Sequence, residues 1–279
     1  MEIDPDIKFD DVIGLDDAKE ILRERLVDYF KFKDKLKYPP SKGLLLYGYP
    51  GTGKTMLVNA VVNELANPNI MFRIVECSEL TAYVGTTEAK VNSYFEALRK
   101  KAEGRDIVLL MDEMDQIVPK KTSNIGQRAI VSERISALLK EIDGLENKNK
   151  NVFIIGTTNH PGWLEEAFVR SGRIDEHIKV DLPTDEQRRK LIKKYIEHIP
   201  NCVSANLIES VLIGTPRWTG ADYRRLGYKL DVKYQKNMSK DSTYYLSASD
   251  ILIVLSEINK QRKVNFKVFE DEYKKYMNA

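Results

Sequence analysis

The sequence predicts an α/β fold, a doubly wound parallel sheet followed by a small all-helical unit. Three observations carry that reading. Short apolar runs alternate with helical patterns as far as Val180, as expected for parallel strands covered on both faces. One of these runs, Leu44-Leu45-Leu46-Tyr47, passes directly into a glycine-rich turn and then a helix. Beyond Pro183 the chain reads as helix and loop, with no convincing strand. The expected division is a large α/β unit over residues 1–183 and a small helical unit over 184–279.

The glycine-rich turn anchors everything else. Gly48 to Thr55 matches G-x-x-x-x-G-K-[ST] without a mismatch, and it sits between strand and helix as a phosphate-binding loop requires. Gly48, Gly51 and Gly53 let backbone N–H groups approach a polyphosphate that any Cβ would hold off. The helix N-terminus adds its partial positive charge. Lys54 is placed to reach the outer phosphates and the Thr55 hydroxyl to ligate Mg²⁺. The helix itself runs from Lys54 to about Ala66, with Leu57, Val58, Val61, Val62 and Leu65 on one face.

The remaining elements follow in order. Before the turn, Asp17 and Glu20 stand at capping-box spacing, and Ala18, Ile21, Leu22, Leu26, Tyr29 and Phe30 form an apolar stripe. A lysine-rich run from Lys31 to Lys37 then reads as a solvated helix end rather than a nucleic-acid patch. Met71–Val75 is a second strand. Val91, Tyr94, Phe95 and Leu98 mark a helix, and Ile107–Met111 a third strand ending in Asp112-Glu113. Pro119 to Gly126 reads as a polar, mobile stretch before a helix carrying Ile135, Leu138, Leu139 and Ile142. Val152–Ile155 is a fourth strand, running out at Thr157-Thr158-Asn159, and His177–Val180 a fifth. Thr184 and Gln187 start the helical unit with a capping box.

In an open parallel sheet the strand C-termini line the ligand crevice, so Asp112 is expected beside Thr55 and the metal. Glu113 then points toward the terminal phosphate, where a carboxylate can orient and deprotonate water. Asn159 ends another strand, and its amide can bond both that water and a phosphate oxygen; it also fits a turn before Pro161-Gly162. Arg170 and Arg173 offer positive charge for a phosphoryl-transfer transition state, although residue type alone favours surface positions for both. His160, His177 and His198 lack metal-ligand spacing and read as structural or exposed.

Composition excludes several classes. Of 279 residues, 31% are charged and 42% hydrophobic, ordinary for a globular chain. A net charge of +2 does not argue for a nucleic-acid or membrane surface. Cys77 and Cys202 form no C-x-x-C pair, against a disulfide framework or thiolate zinc site. There is no run of roughly 18 apolar residues and no apolar signal core at the start, so a cytoplasmic protein is expected.

Taken together, these motifs closely resemble the AAA ATPase module of the AAA+ superfamily, in the group of proteasomal ATPases, unfoldases and katanin-type remodellers. The likeness runs from Phe9 through the helical unit. It implies a P-loop NTPase with a five-stranded parallel sheet and a helical lid, ATP or ADP with Mg²⁺ as ligands, and assembly as a ring, usually a hexamer. Asp11, Val12 and Ile13 match the segment that contacts adenine; Pro50, Gly51, Thr52, Gly53, Lys54, Thr55 and Met56 fall in and just after the Walker A loop. Asp112-Glu113 is the Walker B pair and Asn159 the sensor-1 position. Tyr195 stands where a lid histidine often covers the base, and Gly220-Ala221-Asp222 where the lid nears the nucleotide. Tyr83-Val84-Gly85 matches the first pore loop, which in such rings grips an extended polypeptide; an exposed aromatic suits that task.

The departures are specific. The family commonly has two arginines in Gly-Arg-Phe-Asp-Arg, reaching the neighbour's ATP; here the segment is Gly172-Arg173-Ile174-Asp175-Glu176. Arg173 keeps the first position, and Glu176 reverses the charge of the second. Tyr49 replaces a proline of Walker A, where tolerance is expected because that side chain need not touch phosphate. The segment from Leu246 onward matches the family's closing helices only weakly. Because the likeness starts almost at Met1, the expectation is either that the usual substrate-selecting domain has been removed or that a separate adaptor recruits substrate. Ring-forming protein remodelling is the leading expectation. A nucleic-acid-handling ATPase and a nucleotide-gated assembly factor with little turnover are the rivals.

Overall fold

A computed structural model describes residues 6–37, 43–65, 67–80, 87–120, 125–143, 152–169, 172–200, 204–262 and 266–277. The expected strands are all present: β1 (Gly43–Gly48), β2 (Ile70–Val75), β3 (Asp106–Met111), β4 (Val152–Thr158) and β5 (Glu176–Val180). They form one parallel sheet in the order β2-β3-β4-β1-β5. β1, β3 and β4 are buried along their whole length, which explains why they read as continuous apolar runs rather than alternating ones.

The two faces of the sheet hold separate cores. Leu45, Leu109, Met111 and Ile154 face α4 (Thr87–Ala102) and α6 (Ile125–Asp143), meeting Val91, Phe95, Leu98 and Leu138. Leu44, Leu46, Val108, Leu110 and Ile155 face the other way. They meet Leu22 of α1 (Asp16–Leu22), Leu26 in the wider π turn Arg23–Asp28, Tyr29 and Phe30 of α2 (Tyr29–Phe32), and Leu57 and Val61 of α3 (Lys54–Leu65). Period-2 alternation thus delivers neighbouring residues of one strand to opposite cores. In register, Tyr47 of β1 lies beside Thr158, and Met111 of β3 beside Gly156, so three strands end together.

Three expectations are corrected or refined. The capping box at Asp17 and Glu20 does not form. α1 begins at Asp16, and Leu15 precedes it in a left-handed conformation (φ 59°) with no side-chain cap. The stretch from Pro119 is not uniformly loop, because α6 starts at Ile125, and Pro119 bridges Leu164 in antiparallel fashion. The lysine run is partly tied down: Lys33 pairs at 2.5 Å with Asp106, which is buried at the start of β3.

The remaining helices are α5 (Met114–Ile117), α7 (Asp185–Ile196), α8 (Ala205–Gly214), α9 (Gly220–Met238) and α10 (Ala248–Gln261); of these only the start of α7 was expected residue by residue. Thr184 and Gln187 form the capping box of α7, and Thr219–Asp222 and Ser247–Asp250 repeat it for α9 and α10. α7 to α10 share a core around Ile192, Trp218, Tyr223, Leu226 and Ile258. Arg188 is buried there with its charge fully engaged, donating to Tyr223 Oη at 3.0 Å, Thr215 O at 2.6 Å and Asp185 at 2.7 Å. α11 (Phe266–Met277) joins another cluster, with Tyr273 packed on Tyr47 and Tyr49. Among the described residues no helix is long and apolar enough to cross a membrane.

Candidate active site

A cavity of ≈ 360 Å³ opens at the strand C-termini, between the glycine-rich turn and helices α7 and α9. At its inner end Gly51 (φ 78°) and Gly53 (φ 102°) hold conformations that side chains resist. A Cβ on Gly51 would also come within 2.9 Å of both Ala221 Cβ and Thr219 Oγ1. The turn is therefore open to a ligand on one side and closed by helix α9 on the other.

Lys54 begins α3 and folds back over the turn. Its ammonium donates to Gly48 O at 3.0 Å, Tyr49 O at 2.9 Å and Asn159 Oδ1 at 2.7 Å. All three acceptors are neutral, and Lys54 makes no ion pair among the described residues. Burial lowers its pKa to about 8, against the opposing pull of Asp112 and Asp115. A buried cation held only by neutral oxygens is a site waiting for an anion.

The carboxylates stand beside it. Thr55 Oγ1 donates to Asp112 Oδ1 at 3.4 Å, and Thr157 donates to the same oxygen. Two oxygen ligands from the protein are what Mg²⁺ takes when phosphate and water complete its shell. Among the described residues no group of three or more His, Cys, Asp or Glu that could hold a metal occurs. Glu113 lies at the cavity edge in a left-handed conformation (φ 49°, ψ 49°), its backbone N–H on Thr157 Oγ1 at 3.3 Å. Such backbone costs about 1–3 kcal/mol and concentrates at working sites. Gln116 Nε2 donates to its carboxylate at 2.5 Å.

The outer end has a different construction. Asp11, Val12 and Ile13 form one wall, and Leu191, Tyr195, Gly220 and Ala221 the other. Lys194 Nζ donates to Asp11 O at 2.9 Å, and Ala221 N to Gly51 O at 3.2 Å. Half-burial raises the Tyr195 hydroxyl pKa, with Arg224 opposing it. This end is mostly apolar wall with few polar partners, suited to a flat heterocycle.

With this geometry in place, comparison with known families is decisive. The model of the ATPase family associated with various cellular activities (AAA) matches residues 44–182. The chain carries an AAA ATPase module. It is accordingly an ATPase of the P-loop NTP hydrolase class, and the matched stretch spans all five strands.

Within the AAA module the sequence-predicted residues divide into three groups. Lys54, Thr55, Asp112, Glu113 and Asn159 meet at one end of the cavity, and Asp11 to Ile13, Tyr195, Gly220 and Ala221 at the other. Arg173 lies outside it, donating to Ala167 O at 2.5 Å. Tyr83, Val84, Gly85 and Arg170 lie outside the described residues. Glu176 opens β5 and, with Asp175, faces Arg25 at 3.7 and 3.6 Å, so the charge-reversed position serves an ion pair within the chain.

Sequence reasoning missed several residues. Arg224 and Gln187 line the cavity; Arg224 follows Ala221 by one helical turn, a spacing that places both on one face. Tyr49 does turn away from the cavity lining, but it is not idle. It is 5% exposed and packed on Phe266, Phe269 and Tyr273. The signal was the aromatic stripe 266, 269, 273 and 276, at helical spacing.

Proposed function

We propose that this AAA ATPase hydrolyses Mg-ATP at sites shared between neighbouring copies of a ring, commonly of six, and uses the cycle to remodel or unfold polypeptides. The observation that carries the chemistry is the buried Lys54 ammonium on three neutral oxygens, beside Asp112 and Asn159. Thr55 and Asp112 would hold the magnesium ion, which when bound would offset the charge of the phosphates. Lys54 pairs with the outer phosphates, Asn159 orients the attacking water, and Glu113 takes its proton. Asp11 to Ile13 and Tyr195 bound the adenine, and Gly220 and Ala221 carry helix α9 to the phosphate loop.

Arg173 completes the site of the adjacent copy. Its position outside its own chain's cavity supports that role. Tyr83, with Val84 and Gly85, grips the polypeptide in the central channel, and an adaptor selects the substrate. The helical unit from residue 184 onward acts as the lid: its α7–α10 core supports a unit separate from residues 1–183, while α11 packs back on Tyr47 and Tyr49.

The test is ATPase rate against protein concentration, for the native chain and Arg173→Ala, with and without an unfolded polypeptide. The expected result is a specific rate that rises with concentration, collapses in the variant and is stimulated by polypeptide. A rate flat with concentration and indifferent to Arg173 would place the whole site within one chain. The second reading, a nucleotide-gated assembly factor with slow turnover, draws on Glu176, whose pairing with Arg25 leaves Arg173 as the single finger. It predicts ATP-dependent assembly with hydrolysis that stays slow at high concentration.

A further inference from the structure

Helix α11 touches two of the three residues that hold Lys54. Its aromatic stripe lies against the end of β1 and the start of the phosphate loop. Tyr49 has ring centroids of Phe266, Phe269 and Tyr273 at 5.4, 5.8 and 5.2 Å, and Tyr47 has those of Tyr273 and Tyr276 at 5.9 and 5.3 Å. The polar groups of the same helix reach the end of β4. Tyr273 Oη donates to Asn159 O at 3.0 Å. Glu272 takes Gly162 N–H at 3.1 Å with one oxygen and His160 Nδ1 at 3.0 Å with the other. The carbonyl of Tyr49 and the amide oxygen of Asn159 are in turn two of the three acceptors of the Lys54 ammonium.

We infer that Tyr273 and Glu272 are positioning residues for hydrolysis, fixing the backbone at residues 159–162 so that the Asn159 amide meets Lys54 and the reacting phosphate. This rests on the role proposed for Asn159. The aromatic stripe alone is enough to dock the helix, since edge-on and tilted ring contacts add to the apolar burial. The hydrogen bonds do something different: they are directional, and they converge on the one strand end that carries Asn159. The Tyr273 phenol is 3% exposed, and burial pushes its pKa well up, so it remains a donor at any working pH. A buried hydroxyl that left its acceptor would lose the hydrogen bond that compensates its desolvation, so the contact holds. The direction of the Asn159 side chain is set by its own backbone, and that backbone is what Tyr273 grips. Misplacing a reacting or orienting group by about 1 Å costs up to about 10²-fold in rate.

A reporter of docking is built in. Of the two tryptophans, Trp218 is fully buried, whereas Trp163 is 54% exposed and stacked at 3.8 Å on His160, the ring that Glu272 holds. In a Trp218→Phe background, Trp163 emission reports whether α11 still sits on this loop.

The experiment compares Tyr273→Phe, Glu272→Gln, Asn159→Ala and the Tyr273→Phe/Asn159→Ala double variant in the full chain. It measures ADP affinity, kcat, KM, Tm and Trp163 emission. The expected result for Tyr273→Phe is about a tenfold fall in kcat, with ADP affinity and KM within about twofold and Trp163 emission unchanged. Glu272→Gln falls in the same direction, by less. The double variant is no slower than Asn159→Ala alone, because both act through one group. A kcat at the native level in Tyr273→Phe while Asn159→Ala is impaired overturns the inference and leaves the site reading standing. So does a loss confined to Tm, or a double variant whose losses multiply. A native kcat in Asn159→Ala overturns the role of Asn159 itself, and the inference with it.

Discussion

The two ends of the cavity proposed to take nucleotide, its phosphate end and its base end in that proposal, are built from different material. The phosphate end stands on β1, β3 and β4, strands buried from end to end between two cores, and its side chains hold one another through directed bonds, Lys54 to Asn159 at 2.7 Å and Thr55 to Asp112 at 3.4 Å. The base end is assembled from the Asp11–Ile13 segment and from α7 and α9, which have a core of their own. It meets the phosphate loop through single contacts such as Ala221 N to Gly51 O. The difference teaches where rigidity is needed. Groups that act on a bond in the making must be preorganised to a fraction of an ångström, whereas groups that embrace a base need only area. It follows that damage at the inner end should appear in turnover, and damage at the outer end in binding.

The largest expected effect is at Glu113. Glu113→Gln should lower kcat by about 10²–10⁴-fold while ATP affinity, read by equilibrium titration, stays near the native value. Near-normal hydrolysis would remove Glu113 from its role and break the comparison at its inner end. Next comes the proton on Lys54. Below pH 8 the ammonium is charged and ready for phosphate; above it, burial strips the proton, and binding must take one up again. Nucleotide affinity should therefore fall as pH rises past about 8, by up to about tenfold per unit, in step with proton uptake seen by calorimetry in two buffers. An affinity flat from pH 7 to pH 9.5, round working values chosen on either side of that proton loss, would show that phosphate binding does not draw on this charge. The smallest effect belongs to the outer end. Tyr195→Ala should weaken ATP and ADP alike by about tenfold, the worth of one aromatic face on a base, with kcat at saturation unchanged. A loss of kcat with intact affinity would mean that the outer end takes part in the chemistry.

The same contrast explains what the sequence disclosed. The inner end was legible because its signals are local: an apolar run, then Gly51, Gly53 and Lys54, then a helix, and two further runs closing on Asp112-Glu113 and Asn159. Period and glycine placement leave few alternatives there. The start of α1 was misread because its N-terminus is set by Leu15 in a left-handed backbone conformation, and not by the Asp17 side chain. The work of Tyr49 and Tyr47 was hidden because their partners, Phe266 to Tyr276, lie more than 200 positions away in the chain. A stripe of aromatics announces a buried face without naming the surface that buries it. Arg224 fell between these cases, since the helical unit that carries it was foreseen and its place at the cavity was not.

The central claim is that each site is completed by the neighbouring copy, and mixing two inactive variants tests it most directly. Glu113→Gln chains keep Arg173, and Arg173→Ala chains keep Glu113. If the site is shared, an equimolar mixture should recover up to about a quarter of native ATPase activity, because about one interface in four then joins an intact Glu113 to an intact Arg173. A mixture as inactive as its two components, under conditions where the chains co-assemble, would contradict the account.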